Sequence, residues 1–137
     1  MTNQIPSDVQ KHLRHHGILP TEQRVAIAEV LLSRHQHVTA DQLHLAIRSK
    51  GINVSKATVY NTLNLFAEKG LIREIVVDPN RIYFDSNNAP HQHFYNVDEG
   101  TLMDSPIPLC GLLPSVKLPP GTVLEQVDVV VKIRNQA

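Results

Sequence analysis

The chain has 137 residues, of which 42% are hydrophobic and 19% charged, with 13 basic and 13 acidic side chains. This length is typical of one ordinary domain or two small ones, and the zero formal net charge disfavours a uniformly basic nucleic-acid-binding protein. Cys110 is the only cysteine, which excludes a disulfide framework and a zinc site built from paired cysteines.

The start of the chain, MTNQIPSDVQ, lacks the basic residues and apolar run of a secretory signal. No stretch approaches the ~18 consecutive apolar residues of a membrane span. We therefore expect a cytoplasmic protein without a membrane partner. The charge is unevenly placed, because residues 1–85 hold ten basic and eight acidic side chains and residues 86–137 hold three and five. The excess of +2 favours the N-terminal half for contact with a polyanion.

Four helical segments are predicted before residue 70. Ser7 and Gln10 have the spacing of a capping box, and Gly17 ends this first helix. Pro20 and Thr21 then open a second helix with apolar residues at helical spacing.

The third and fourth helices carry equally clear start signals. Thr39 and Gln42 form a second capping box, and Gly51 stops that helix. Ser55 is the expected N-cap of the fourth helix, KATVYNTLNLFAEKG. Its inward stripe comprises Val59, Leu63, Phe66 and Ala67.

The hydrophobic period changes after the fourth helix. The short β-type runs LIREIVV and RIYFD are joined by Asp78, Pro79 and Asn80, which predicts a hairpin. Helices followed by a hairpin are the element order of a winged helix-turn-helix. We place this DNA-binding domain at residues 1–85.

The second half begins with a predicted hinge at residues 86–90, which are polar and end in Pro90. Residues 91–137 are expected to form a small α/β dimerisation domain, so the fold class is α+β. Its predicted strands are HQHFYNV, GTLMDS and TVLEQVDVVVKIR.

The last of these strands should present one apolar face. That face comprises Val127, Val129, Val131 and Ile133. The domain is barely long enough to cover a three-stranded sheet, so we expect its remaining apolar surface to form a homodimer interface.

The outer face of the fourth helix carries candidate DNA-binding residues. In a helix-turn-helix the second helix enters the major groove with its N-terminal residues nearest the bases, where this chain has Lys56, Thr58, Tyr60 and Asn61. Lys56 can pair with phosphate, Asn61 can bond base edges and Tyr60 can contact a thymine methyl group or a phosphate. Arg81, at the hairpin tip, suits a phosphate beside the groove. The alternative is a winged helix that binds protein, with these residues simply solvated.

Two histidines one residue apart, His91 and His93, follow closely behind Asp85. Residues i and i+2 of a strand share a face, with Cβ atoms ~7 Å apart, so both imidazoles can converge on one ion. This spacing alone is a weak signal, because most such pairs are surface histidines. Apart from His37, the other histidines, at positions 12, 15, 16, 35 and 44, are expected on solvated surface.

A metallohydrolase is the alternative from the enzyme class, since histidines with a carboxylate can activate water on zinc. Protein ligands that close the coordination sphere would leave no position for that water, and no further acidic residue is evidently placed as a base. We therefore expect no enzymatic activity.

Longer motifs resemble the ferric uptake regulator family of metal-responsive bacterial repressors. They are GILPTEQRVAIAEVL, HVTADQLHLAI, VSKATVYNTLNLFAEKGLI, RIYFD and the His-x-His after it. The short C-terminal half, with no helix after Arg134, is most similar to the iron response regulator branch. The resemblance implies a homodimer on double-stranded, AT-rich, pseudo-palindromic operator DNA. Many members carry a basic residue where this chain has Leu19, so Arg24 or the N-terminal basic cluster would have to supply the minor-groove contact.

The resemblance also implies a regulatory metal site. Its ligands would be His37, Asp85, His91 and His93, and the donor set suits one Zn, Fe or Mn ion per chain. In the iron response regulator branch the histidine cluster is associated with haem, so haem at His91 or His93 is an alternative. A purely structural metal ion on a DNA-binding winged helix is another.

Overall fold

The computed structural model describes residues 8–87, 92–105, 117–125 and 127–136. The chain divides into two units, Met1–Ala89 and Pro90–Ala137, and each is described by itself. This division falls inside the predicted hinge, while the domain bounds at residues 85 and 91 stay a prediction. Among the described residues, no helix is long and apolar enough to cross a membrane.

The described part of the first unit consists of four helices and three short strands. In chain order these are α1 Val9–His15, α2 Glu22–Leu31, β1 His37–Val38, α3 Ala40–Ser49, α4 Lys56–Glu68, β2 Arg73–Asp78 and β3 Arg81–Asp85. The strands form an antiparallel sheet in the order β1-β3-β2. The predicted helices and hairpin are therefore confirmed as a winged helix. The sequence did not predict β1, because two residues are too few to show a period.

The caps of α2, α3 and α4 are those that the sequence predicted. The side chains of Thr21, Thr39 and Ser55 each accept a hydrogen bond from a backbone N–H in the first turn of their helix. Thr39 and Gln42 form the complete capping box. These local signals determine where each helix begins.

The start of α1 differs from the prediction. Ser7 lies outside the described residues, and Asp8 is the N-cap, with its carboxylate accepting from the Lys11 N–H at 3.1 Å. An aspartate caps as well as a serine, so the helix begins one residue later than predicted. Gly17, with φ of 72°, ends the turn after α1 as expected.

The core of the first unit is built from the apolar stripes of its helices. Val59, Leu63 and Phe66 of α4 are fully buried, as predicted, whereas Ala67 is half-buried at the edge of the stripe. Other fully buried members of this cluster are Leu13, Ile27, Leu31, Leu43 and Ile47. Each such side chain contributes about 1.5–3 kcal/mol. This packing holds α4 so that its opposite face is turned to solvent.

The described residues of the second unit form a three-stranded mixed sheet. The strands β4 His93–Asn96, β5 Thr101–Asp104 and β6 Val130–Ile133 lie in the order β5-β4-β6. β5 is antiparallel to β4, and β6 is parallel to it. Helices in the first unit and sheets in both confirm the α+β class.

The last strand is shorter than predicted, since the structure places residues 122–125 and 127–129 outside any strand. β6 pairs only with the four residues of β4, so its ladder ends where β4 ends. Its predicted apolar face is not buried within the chain. Val131 is 38% exposed, and Val127, Val129 and Ile133 are half-buried.

Candidate metal and nucleic-acid sites

The N-terminal half of α4 presents a polar face to solvent. Ser55 caps the helix by accepting from the Thr58 N–H at 3.1 Å, and its hydroxyl also donates to Thr58 Oγ1 at 2.8 Å. With this start, Lys56, Tyr60 and Asn61 lie on the exposed side, opposite the core stripe. Thr58 is half-buried between the two sides. The predicted reading residues therefore lie on or beside the accessible side of α4.

A groove of about 270 Å³ brings Tyr60 together with Arg81 of the wing. Its other lining residues are Thr39, Ala40, Asp41, Pro79, Asn80, Ile82, Tyr83 and Phe84. Reading helix and wing therefore meet at a continuous surface, as a DNA contact extending from bases to the neighbouring phosphates requires.

A second groove, of about 260 Å³, brings Arg24 together with Thr58 and Asn61. Thr21, Gln23, Thr62 and Leu65 complete its lining. The Arg24 Nη1 atom donates to the Leu19 carbonyl at 3.1 Å, while the Leu19 side chain is 70% exposed. Arg24 thus places a cation beside the backbone at the position where the family resemblance led us to expect a basic residue.

Lys56 has an acidic neighbour that the sequence did not indicate. Its Nζ lies 2.7 Å from Oδ1 of Asp41, in the first turn of α3. Both side chains are largely exposed, so the pair contributes only about 0.2–1 kcal/mol. A DNA phosphate can therefore compete for this ammonium group.

His37 and Asp85 form a pair inside the first unit. They are cross-strand partners of β1 and β3, and His37 Nε2 lies 3.0 Å from Asp85 Oδ2. The Asp85 side chain is only 1% exposed, and its Oδ1 accepts from the Asn87 N–H at 2.8 Å. A buried carboxylate is costly without such partners. The pair offers one imidazole nitrogen and one carboxylate oxygen, both common metal ligands.

His93 and Asp104 form a comparable pair inside the second unit. They are cross-strand partners of β4 and β5, with Nε2 and Oδ1 at 3.4 Å. His93 is buried, whereas Asp104 is about half exposed. Sequence reasoning missed Asp104. The hairpin register could have indicated it. Asn96 pairs with Thr101 next to the turn, and three residues further from the turn on each strand His93 pairs with Asp104.

Each of these two pairs offers ligands that a divalent cation accepts. His37 and Asp85 supply one imidazole and one carboxylate, and His93 and Asp104 supply another of each. This mixture suits zinc, iron or manganese and does not select one of them. His91, the remaining predicted ligand, lies outside the described residues, as does Cys110.

The histidines expected on solvated surface differ among themselves. His15 and His35 are exposed, as expected. For His44 the expectation is wrong, because its half-buried ring donates from Nε2 to the Val54 carbonyl at 2.9 Å. This bond joins α3 to the turn that precedes α4.

His12 and His16 are likewise only partly exposed. Their ring centroids are 4.8 Å apart at 65°, and His16 Nδ1 donates to the His12 carbonyl at 3.0 Å. Burial lowers the pKa of His12 from 6.5, and the nearby His16 and His15 lower it further.

The fold and the site together define a class of protein that joins a winged helix to a small mixed sheet, with a histidine–carboxylate pair in each. The model of the ferric uptake regulator family matches residues 15–105 of this chain. The chain belongs to the ferric uptake regulator family.

One relative is the peroxide-responsive repressor PerR of Staphylococcus epidermidis, which is 37% identical over 92 residues. The match covers 67% of this chain and spans 61% of the length of that relative. Among solved structures, the ferric uptake regulator of Pseudomonas aeruginosa with manganese has a TM-score of 0.70 at 24% identity, covering 94% of this chain and 98% of the other. That of Vibrio cholerae has a TM-score of 0.72 at 21% identity, covering 93% and 100%. These two likenesses establish the fold.

Proposed function

We propose that this protein is a metal-responsive, DNA-binding transcriptional repressor. The observation that carries this proposal is the buried His37–Asp85 pair, which lies on the same sheet as the wing. The groove between that wing and α4 is lined by Tyr60 and Arg81. His37, Asp85 and the proposed DNA-reading residues thus belong to the same unit. Membership of a family of regulators supports this function over the metallohydrolase alternative.

The proposed metal ligands are His37, Asp85, His91 and His93, with Asp104 added because it pairs with His93. A divalent cation would bind the neutral form of each imidazole and would compete with protons for it. Occupancy should therefore decrease as the pH falls below the ordinary histidine pKa of about 6.5.

Regulation follows from the distribution of these ligands along the chain. His37 and Asp85 belong to the first unit, whereas His91, His93 and Asp104 belong to the second. One ion held by both sets would restrict the arrangements available to the protein. If one of those arrangements binds DNA best, metal and DNA each tighten the binding of the other by the same factor.

The proposed DNA contacts are divided between two grooves. Tyr60 and Arg81 would contact DNA on the wing side of α4, and Asn61 and Arg24 on the α2 side. Lys56 would exchange Asp41 for a phosphate. With Thr58, these are the residues that we assign to operator DNA.

We further propose that the protein acts as a homodimer. Phe94 is the cross-strand partner of both Met103 and Val131. The latter two are 45% and 38% exposed, which leaves an apolar row on one sheet face for a second copy to cover. A two-fold dimer fits a pseudo-palindromic operator, here proposed to be AT-rich. Since this partner is chromosomal DNA, the proposed location is the cytoplasm.

The identity of the effector is open among chemically related alternatives. Zinc, iron and manganese all suit the ligands, and the Pseudomonas relative was solved with manganese. The Staphylococcus relative is peroxide-responsive, so oxidant sensing is a second candidate function. The alternative that the protein belongs to the iron response regulator branch and binds haem is supported by the short C-terminal half and by the half-buried Phe94 next to His93 in the sequence.

The test is operator binding as a function of metal. A duplex selected from a random library by the wild-type protein is titrated with Mn²⁺, Fe²⁺ or Zn²⁺ and then with chelator. We expect metal to tighten DNA binding by about 5- to 150-fold. His37→Ala should abolish that gain, whereas the matched control His35→Ala, an exposed histidine two residues away, should retain it.

Other results would select an alternative. If chelation unfolds the protein as it releases DNA, the metal is structural. A Soret band that is lost in His91→Ala or His93→Ala but kept in His37→Ala and Asp85→Ala identifies haem as the ligand. Equal DNA affinity with every metal and with chelator, in folded protein, would refute metal regulation.

A further inference from the structure

Ser86 directly follows the metal-pair residue Asp85 and is anchored to the first unit. The sequence placed Ser86 at the start of a hinge, but its side chain is buried. Its Oγ accepts from the Gln36 N–H at 2.9 Å and donates to the Arg34 carbonyl at 3.1 Å. Its own N–H donates to the Gln36 carbonyl at 3.2 Å. The chain beside Asp85 is therefore bound by three hydrogen bonds to the chain beside His37.

Gln36 continues this network to α2. Its side-chain amide donates from Nε2 to the carbonyls of Val30 and Leu31, at 3.1 and 2.7 Å. The last carbonyls of a helix have no partner within the helix, so this amide serves as the C-terminal cap of α2. Any displacement of the segment that carries His37 is thereby applied to the end of α2.

The opposite end of α2 lies at the proposed DNA surface. Thr21, Gln23 and Arg24 line the same groove as Asn61 of α4. The helix has ten residues, which corresponds to about 15 Å at 1.5 Å per residue. Its length is packed through the fully buried Ile27 and Leu31. A packed helix of this length moves as one body, so a shift at its C-terminal end also changes the position of Arg24.

We propose that Gln36 and Ser86 form a latch that transmits occupancy of the His37–Asp85 pair, through α2, to the DNA-binding surface. This inference rests on the proposed function and names the residues through which its regulation passes. Both are positioning residues, because they act through the metal ligands and α2 rather than as ligands themselves. Breaking the latch should leave metal binding and DNA binding present but uncouple them.

The experiment compares the coupling ratio of full-length variants. This ratio is the affinity for the selected duplex with Mn²⁺, Fe²⁺ or Zn²⁺ divided by that with chelator, using the metal that gives the largest wild-type ratio. Wild type should give about 5- to 150-fold, and Ser86→Ala less than about threefold. Ser86→Thr, which keeps the hydroxyl, should restore the ratio. Calorimetric titration of DNA-free Ser86→Ala should still show one bound metal per chain.

Ser33→Ala is the matched control. The Ser33 hydroxyl donates to the carbonyl of Val30 at 2.8 Å, at the same end of α2. The wild-type ratio should persist in this variant. If Ser33→Ala lowers the ratio as much as Ser86→Ala does, general loosening of α2 accounts for the loss and the latch is refuted.

Circular dichroism identifies the folded variants before binding is measured. Should Ser86→Ala not fold, Ser86→Cys replaces it, because a thiol fills the site while forming only weak hydrogen bonds. A wild-type ratio in the folded Ser86 variant refutes the latch and leaves the proposed function standing. A wild-type protein whose ratio is one with all three metals refutes the proposed function itself.

Discussion

The two units bury their apolar side chains very differently. In the first, Leu63, Phe66 and their neighbours are completely buried. In the described part of the second, Tyr95 and Leu102 are the only buried apolar side chains, and Met103 and Val131 remain exposed. The described part of the first unit therefore contains a continuous apolar core. The exposed apolar side chains in the described part of the second are those that the proposed second copy would cover.

The largest expected effect tests the core of the first unit. Phe66→Ala should lower the free energy of unfolding by about 3–5 kcal/mol, because the ring is fully buried and leaves a cavity. Urea denaturation followed by circular dichroism measures this. Leu45→Ala is the control, since that α3 side chain is 64% exposed and its loss should change stability by less than about 0.5 kcal/mol. Similar values for both variants would contradict a core confined to the stripes.

The next effect concerns the exposed sheet face of the second unit. Met103→Asp should weaken dimerisation by about 100-fold, or about 2.7 kcal/mol, because an interface would have to desolvate the carboxylate. Sedimentation measures this dissociation constant. The control is Val76→Asp, which places the same charge on an exposed strand position of the first unit. If the wild-type protein is monomeric at working concentrations, the proposal that a second copy covers this face is wrong.

DNA binding should depend on the first unit without affecting the dimer. Asn61→Ala or Tyr60→Ala should weaken operator binding by about 1–3 kcal/mol and relax sequence preference. Arg81→Ala should instead weaken binding to all duplexes and flatten its salt dependence. Fluorescence anisotropy at several salt concentrations separates these patterns.

The control for the reading helix is Asn64→Ala, an exposed residue one turn further along α4. Its loss should cost less than about 1 kcal/mol, because the N-terminal residues of a reading helix lie nearest the bases. Operator affinity that is unchanged in both Asn61→Ala and Tyr60→Ala would exclude α4 from the major groove.

The smallest effect is an acid sensitivity at α1. Burial, then His16 and His15, lower the pKa of His12 in the folded protein below its unfolded value of 6.5. Below pH 6.5 the unfolded chain binds this proton more readily, so stability is lost as the pH falls towards the folded pKa. His12→Gln should reduce that loss by no more than about 4 °C in Tm, because solvent screens a partly exposed ring.

Thermal unfolding at about pH 7.5 and about pH 5 measures this acid effect, on either side of the ordinary histidine pKa. The control is His35→Gln, which removes an exposed histidine and should behave as wild type. An acid loss in His12→Gln equal to that of wild type would show that this histidine does not contribute.

The sequence by itself determined the order of the four helices and the hairpin of the first unit, and most helix boundaries. Thr21, Thr39 and Ser55 were identified as caps because capping depends on residues within one helical turn. The polar face of α4 was predictable for the same reason, since a 3.6-residue period places Tyr60 and Asn61 opposite the core stripe. The cap at Asp8 was missed, because Ser7 satisfied the same local pattern.

Only the tertiary structure decided which distant residues meet. His37 pairs with Asp85 through the register of β1, a strand too short to show in the sequence. Asp104 joins His93 through a hairpin register, and Ser86 is fixed by Gln36 although the local composition resembles a hinge. These contacts depend on strand register and packing between segments far apart in the chain. A local sequence pattern limits such pairings without selecting one of them.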